Sequence, residues 1–213
     1  MDHYEYADLI DDADKVAMLI DPTSSYANAA AYAIGRAVDD AIILAADGTA
    51  KTGKSGSTST TLPAAQIVAV GSPAAGLTIA KLVNAKKILD LSNVDPSIKR
   101  YIAVSPEQIE DLLNDSTVTS ADFNTVKALV QGEINTFMGF EFITSTRLAT
   151  DSSSYRQVLA WAEDGITLAM GMDLTTQITQ RADKSYSTQV YVAAQFGSTR
   201  MEEEKVVQIL CSE

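Results

Sequence analysis

The sequence contains one cysteine and one histidine among its 213 residues, and this scarcity excludes several kinds of site. A single cysteine cannot form an internal disulfide, and one thiol with one imidazole cannot supply a zinc site of cysteine and histidine ligands. A serine–histidine–aspartate site would have to recruit His3, close to the start of the chain, where chains commonly fray. We therefore predict no catalytic residue, no cofactor and no metal site.

Basic residues are also few, since 16 lysines and arginines face 28 aspartates and glutamates for a net charge of -12. Such acidity disfavours a partner that presents a phosphate backbone. Long uncharged apolar runs are missing as well, because the most apolar stretch, 29–46, contains Arg36, Asp39 and Asp40. Charges are costly inside a lipid bilayer. The sequence predicts neither specific nucleic-acid binding nor a membrane-spanning helix.

Helical patterns dominate the first two thirds of the chain. Apolar residues recur at three- and four-residue spacings over 24–46, which predicts one long amphipathic helix that ends at Asp47 and Gly48. A second helix is predicted over 77–91. Ser105 before Pro106, with Gln108 two residues later, indicates a capping box at the start of a third. A further helix is predicted after Ser120. The inner face of the second helix is predicted to carry Ile79, Leu82, Val83, Ala85 and Leu89.

Strand patterns with a period of two prevail from position 139 onward. The predicted strands cover 157–162, 166–170, 189–196 and 205–210, and a shorter one is predicted at 101–104. Asp164 and Gly165 are typical of a hairpin turn. Since helices and antiparallel strands are partly segregated along the chain, the predicted class is α+β. Residues 48–61 are rich in glycine, serine and threonine, which predicts a flexible polar loop.

One nucleotide-binding motif occurs within that loop. Residues 48–55 match the phosphate-binding pattern in full, with Gly48, Gly53, Lys54 and Ser55 at the required positions. That loop functions when a strand precedes it and a helix follows it directly. Here a helical segment precedes the motif, and a stretch that resists helix formation follows it. We keep a nucleotide-binding protein as an alternative interpretation and favour a solvated polar loop.

A second set of residues suggests contacts with a neighbouring subunit. Adjacent acids on a helix point in different directions and make a poor acid–base pair, and three acids in a row require solvent or basic partners. These residues form the candidate set of intersubunit contacts: Asp39, Asp40, Arg181, Arg200, Glu202, Glu203 and Glu204.

Five stretches in the sequence resemble the major capsid protein of tailed bacteriophages, the family with the Hong Kong 97-type shell fold. The resemblance depends on their order and spacing together, because none is diagnostic alone. They are YADLIDD at 6–12, IDPT at 20–23, GRAVDD at 35–40, GEINTFMGF at 132–140 and TRMEEEKVV at 199–207.

This resemblance implies a peripheral domain, with a long spine helix and a long antiparallel β-hairpin, and an inserted compact α/β axial domain. By similarity, residues 1–91 and 181–213 would form the peripheral domain, with the spine at 24–46 and the hairpin strands at 189–196 and 205–210. Residues 92–180 would form the axial domain.

The implied function is structural. Copies of the chain would associate into pentamers and hexamers of an icosahedral shell around phage DNA, which they would not bind specifically, with help from a scaffolding protein. The protein would reside in the host cytoplasm and then in the virion capsid, with no membrane partner. Another phage structural component, such as a decoration or tail protein, is the remaining alternative.

One departure from the family pattern concerns the front of the chain. The family normally carries an N-terminal arm and an extended two-stranded loop before the acidic segment that begins here at Tyr6. The sequence starts almost at that segment. We therefore expect this chain to lack the arm and most of the loop, both of which clasp neighbouring subunits in the family.

Overall fold

A computed structural model of the chain describes residues 1–11, 23–114 and 136–213. Within these ranges the α-helices, α1 to α3 in chain order, span Thr23–Asp47, Ile79–Leu91 and Pro106–Asn114. The strands, β1 to β11, span Asp2–Ile10, Ala50–Thr52, Thr58–Thr60, Ile67–Val68, Arg100–Val104, Thr136–Phe137, Phe140–Thr144, Arg156–Ala162, Ile166–Gln180, Thr188–Arg200 and Val206–Cys211. The mixture confirms the predicted α+β class. The predicted helix after Ser120 lies outside the described residues.

The strands form three sheets. A three-stranded sheet has the order β1-β10-β9, a six-stranded sheet has the order β4-β11-β8-β5-β7-β6, and β2 pairs with β3 alone. The described chain divides into two compact units, Met1–Ile42 with Leu168–Ser198 and Ile43–Thr167 with Thr199–Glu213. We call them the first and second unit. The division falls within α1, β9 and β10, so single elements contribute residues to both.

The core of the first unit lies between α1 and the three-stranded sheet. Alternate residues of β10 are buried there, including Val190, Val192 and Phe196, because successive side chains of a strand point to opposite faces. Ala30 and Ile34 of α1 are buried against them, one turn apart on the same stripe of the helix. The sequence prediction of α1 is therefore confirmed, with one more residue at each end.

The core of the second unit contains the six-stranded sheet and α2. Four consecutive residues of β11 are buried, which marks it as an internal strand covered on both faces. Leu82 and Leu89 of α2 are fully buried, as predicted. The prediction for Val83 is wrong, because it is 45% exposed and Lys81 is buried instead. The Lys81 amine donates to the carbonyl oxygens of Ala75 at 2.6 Å and Leu210 at 2.8 Å, which satisfies the buried charge.

The hairpin prediction is also wrong. Strands β10 and β11 were expected to pair, but they belong to different sheets. Their alternating apolar residues are used by two different cores: β10 contributes to the core of the first unit, and β11 to that of the second. The neighbour of β10 in chain and sheet is β9, joined to it through residues 181–187. A connection this short makes the pair antiparallel, because parallel neighbours need a long crossover.

Two other segments differ from their predictions. Residues 48–61 contain the two-stranded hairpin of β2 and β3, so they are not a loop throughout. The strand predicted over 166–170 continues to Gln180 as β9. Most residues of its second half are exposed, so the sequence there lacks the apolar alternation that identifies a half-buried strand.

Candidate assembly surfaces

Arg200 is the most buried member of the candidate contact set, with 3% of its surface exposed. One guanidinium nitrogen donates to the carbonyl oxygens of Ala46 and Gly48, both at 2.9 Å, and another donates to that of Thr60 at 3.1 Å. The last carbonyls of a helix have no partner within it. Arg200 supplies such a partner at the C-terminal end of α1, and its bond to Thr60 connects that end to β3. Its role is therefore internal.

Two of the three acids at 202–204 lie close to basic side chains. The Lys205 amine lies 3.1 Å from a carboxylate oxygen of Glu202 and 2.6 Å from one of Asp164. These hydrogen bonds, that with Asp164 first, raise the pKa of Lys205. Glu203 lies 4.0 Å from the Arg200 guanidinium, and Glu204 is exposed. The sequence argument that this run needs basic partners is met within the chain by Lys205 and Arg200.

The other candidates lie in the first unit. Asp39 is exposed on α1, and Asp40 beside it is half-buried. Arg181, at the end of β9, pairs with Asp183 through two hydrogen bonds, of which the one to Nε measures 2.9 Å. This pairing lowers the pKa of the Asp183 carboxyl. The structure thus gives Arg181 a partner of its own, Asp183, within the first unit.

Residues 48–55 do not form a phosphate-binding loop. Helix α1 precedes them, β2 occupies their middle, and a turn through Gly53 and Gly56 leads into β3. Both glycines have positive φ angles, which suit a tight hairpin connection. The Ser55 hydroxyl donates to Ser57 at 3.1 Å. Since neither the strand before the motif nor the helix after it is in place, the nucleotide interpretation has no geometric support.

Sequence analysis missed a cluster around the side chain of Glu213. Arg156 donates to both of its carboxylate oxygens at 2.6 Å, and Gln108 donates to one of them at 2.8 Å. These bonds, that with Arg156 first, lower the pKa of Glu213 to about 2. The nearby Glu107, in the first turn of α3, has its pKa raised, chiefly by the charge of Glu213. The two carboxyl groups titrate as a pair.

A cavity of about 610 Å³ was also missed. It is lined by residues from the C-terminal half of α2, the loop into β5, and Gly139. Its charged lining residues are Lys86, Asp90, Lys99 and Arg100. No motif spacing marks these residues in the sequence, because they come from different elements.

The described residues contain no group of three or more histidine, cysteine, aspartate or glutamate side chains placed to hold a metal ion. Cys211 is fully buried, and burial raises the pKa of its thiol to about 12, which keeps it protonated and unreactive at neutral pH. Among the helices of the described ranges, none has the length and apolarity needed to cross a membrane.

Solved structures place the fold in a class. The chain is similar to a capsid structure of cyanophage P-SCSP1u, with 18% identity, a TM-score of 0.73, and coverage of 100% of this chain and 72% of that one. It is similar to the acid-stable capsid of Helicobacter pylori bacteriophage KHP30, with 10% identity, a TM-score of 0.69, and coverage of 100% and 75%. A structure from Mycobacterium phage Che8 gives 21% identity, a TM-score of 0.68, and coverage of 98% and 70%. No curated protein matches the chain.

These likenesses show that the chain has the α+β fold of these capsid structures. The chain belongs to the phage capsid protein family, whose sequence model matches residues 1–213. It is a major capsid subunit with the Hong Kong 97-type fold, as the five sequence stretches predicted. The nucleotide-binding, decoration and tail alternatives are not favoured. A structural role in the virion capsid, through association with other copies, follows from the family.

Proposed function

We propose that copies of this chain associate into pentamers and hexamers and then into a closed icosahedral shell around phage DNA. The observation that carries the proposal is the match of the capsid family to the whole sequence, residues 1–213. The shell would assemble in the host cytoplasm with a scaffolding protein. The net charge of -12 supports a wall that contains DNA without binding it specifically.

Within the subunit, we assign residues 1–91 and 181–213 to a peripheral domain and residues 92–180 to an axial domain. Support for the peripheral domain comes from the long helix α1 at the expected place and from the long strand β10, both of which lie within these ranges. The contacts between copies would involve Asp39, Asp40 and Arg181 of the first unit, and Glu202, Glu203 and Glu204 of the second. Support for these contacts is the exposure of Asp39, Glu202 and Glu204.

Sedimentation velocity and negative-stain imaging of the purified chain over rising concentration test self-assembly. We expect discrete pentamers, hexamers or shells in place of a continuous series of aggregates. Lys54→Ala is the matched control, because Lys54 lies in the phosphate-loop motif and is exposed on the β2–β3 turn. This variant should assemble like the wild type, with or without Mg-ATP. Monomers at every concentration, also with a crowding agent, would contradict the proposal.

A further inference from the structure

The cavity beside α2 is basic, although the chain as a whole carries an excess of twelve negative charges. Lys86, Lys99 and Arg100 supply three cations to its lining, and Asp90 supplies the one carboxylate. Lys86 and Lys99 are exposed and form no ion pair with any other described residue. A concave surface lined by one sign of charge concentrates the field and attracts groups of opposite charge. The cavity therefore suits an anionic group.

Arg100 forms the buried end of this cavity. It is 6% exposed, and its guanidinium pairs with Asp90 at 2.7 Å and donates to the carbonyl oxygen of Val94 at 3.3 Å. Its Nε atom is buried and has no hydrogen-bond partner among the described residues. Asp90 is 48% exposed and offsets one of the three cations.

An acidic surface lies at the other end of the same strand. Strand β5 begins at Arg100 and ends at Val104, and α3 starts two residues later at Pro106. The five residues of the strand separate its two ends by roughly 13 Å. Glu107 and Glu110 of α3 are both exposed, and their three-residue spacing places them on one face of the helix. The second unit thus presents a basic cavity and an acidic helix face at opposite ends of β5.

Among the described residues, the cation that acts on Glu107 is Arg156. Its guanidinium is held by both carboxylate oxygens of Glu213. The charge of Glu213 raises the pKa of Glu107, which shows that negative charge is crowded there. A cation brought to Glu107 from outside would relieve this repulsion.

We propose that the cavity of one copy receives Glu107 and Glu110 of a second copy, so that subunits associate head to tail through their second units. This inference rests on the self-assembly proposed above and names a surface for it. A contact between two different surfaces of one chain generates a ring when the rotation between copies closes. Duplex DNA is the other source of anions, but the acidity of the whole chain opposes its approach.

Two charge-reversed proteins test the contact. One carries Lys86→Glu and Lys99→Glu, and the other carries Glu107→Lys and Glu110→Lys. Each alone should require about five- to ten-fold higher concentration for half-maximal association, because attraction at the contact becomes repulsion. In the mixture, every contact between unlike proteins pairs opposite charges, so the two should associate together at nearly the wild-type concentration, in rings with an even number of subunits. Lys87→Glu is the matched control, since Lys87 is an exposed neighbour on α2 outside the cavity lining.

The outcomes separate this inference from the proposed function. Failure of the wild type to associate contradicts self-assembly itself. Association of the wild type and of both reversed proteins at equal concentration overturns only the head-to-tail contact. The contact is also overturned if the mixture of the two reversed proteins associates no better than either alone. It is overturned as well if Lys86→Glu with Lys99→Glu abolishes binding to duplex DNA but leaves association unchanged. Thermal unfolding shows that each variant is folded, and the milder pair Lys86→Gln and Lys99→Gln should give a smaller shift in the same direction.

Discussion

Arg200 connects parts of the second unit that are far apart in sequence. The carbonyl oxygens that it binds, on Ala46, Gly48 and Thr60, are 154, 152 and 140 residues away. Position 48 requires glycine, because a Cβ atom there would lie only 2.4 Å from the carbonyl oxygen of Leu44. A charge run in the sequence indicated that Arg200 was important. The sequence could not show which backbone carbonyls Arg200 binds. Every residue has a carbonyl oxygen, and only the fold brings three of them to this guanidinium.

Removal of the Arg200 side chain should destabilise the protein strongly. Arg200→Ala leaves three carbonyl oxygens without this donor and opens a void, so we expect a loss of about 3 kcal/mol in the free energy of unfolding. Arg200→Lys keeps the charge but not the planar fork and should lose less. Urea denaturation followed by circular dichroism measures both.

Arg181→Ala is the control for that experiment. Arg181 is 41% exposed and pairs with Asp183 two residues away, so its removal should leave the urea midpoint unchanged within error. Equal midpoints for Arg200→Ala and the wild type would show that water satisfies the carbonyl oxygens at the end of α1. The internal role of Arg200 would then be wrong.

At the scale of elements, the side chain of Glu213 joins three parts of the second unit. It follows β11, accepts from Arg156 at the start of β8, and accepts from Gln108 in the first turns of α3. Gln108 also accepts from the Ser105 amide at 2.8 Å, which is half of the predicted capping box. The cap of α3 and the end of the last strand are therefore fixed by one connected set of hydrogen bonds.

These bonds make stability depend on pH in a definite direction. The pKa of Glu213 falls from its usual value of 4.5 to about 2, so the ionised form is favoured by folding. Its contribution is fully present above about pH 4.5 and is lost as the pH falls towards 2. Glu213→Gln should thus lower the free energy of unfolding by about 1 kcal/mol at pH 7, with the difference vanishing near pH 2.

The raised pKa of Glu107 has the opposite sign. Its ionised form is disfavoured in the folded protein, so its penalty on folding builds up as the pH rises above 4.5 and is complete above the folded pKa. Glu107→Gln is therefore the informative partner variant: it should be at least as stable as the wild type at pH 7. Denaturation curves at pH 7 and pH 2.5 check both variants. A Glu213→Gln protein with the same loss at both pH values would indicate a packing effect instead of a charge effect.

Local signals predicted elements better than they predicted pairing. The stripe of α1 and the cap of α3 depend on neighbouring residues, and the structure contains both. Residues 163–165 also form a turn, but the strands that it joins, β8 and β9, belong to different sheets, so the predicted hairpin at Asp164 and Gly165 is wrong. The assignment of β10 and β11 to one hairpin was wrong. Alternating apolar residues indicate that one face of a strand is buried, but they do not indicate which core buries it. The second half of β9 was missed for a related reason, since an exposed strand needs no apolar alternation.

The candidate contacts show the same limit. Sequence reasoning selected charged residues by their runs, and so it chose the acids at 202–204, two of which are balanced within the chain. It did not select Lys86, Lys99 and Arg100, which come together where the chain passes from α2 into β5. These residues are close in sequence, but their spacing matches no binding motif, so a sequence pattern could not reveal the cavity.

At the scale of the whole molecule, the net charge of -12 sets the conditions for assembly. Copies repel one another at low ionic strength, and a local contact between opposite charges offsets only part of that repulsion. Raising NaCl from about 50 mM to about 500 mM shortens the screening length from roughly 14 Å to roughly 4 Å. Since buried apolar contacts are not weakened by this change, the balance should move towards assembly.

We therefore expect the concentration for half-maximal association to fall several-fold over this salt range, as measured by light scattering at constant pH. Asp2→Asn combined with Glu163→Gln removes two exposed acids outside the proposed contacts. This variant should associate at lower concentration than the wild type at 50 mM NaCl and should respond less to added salt, because less repulsion remains to be screened. Association that instead weakens steadily with salt would mean that attraction between opposite charges outweighs the net repulsion, so that paired charges and not apolar contacts would hold the shell together.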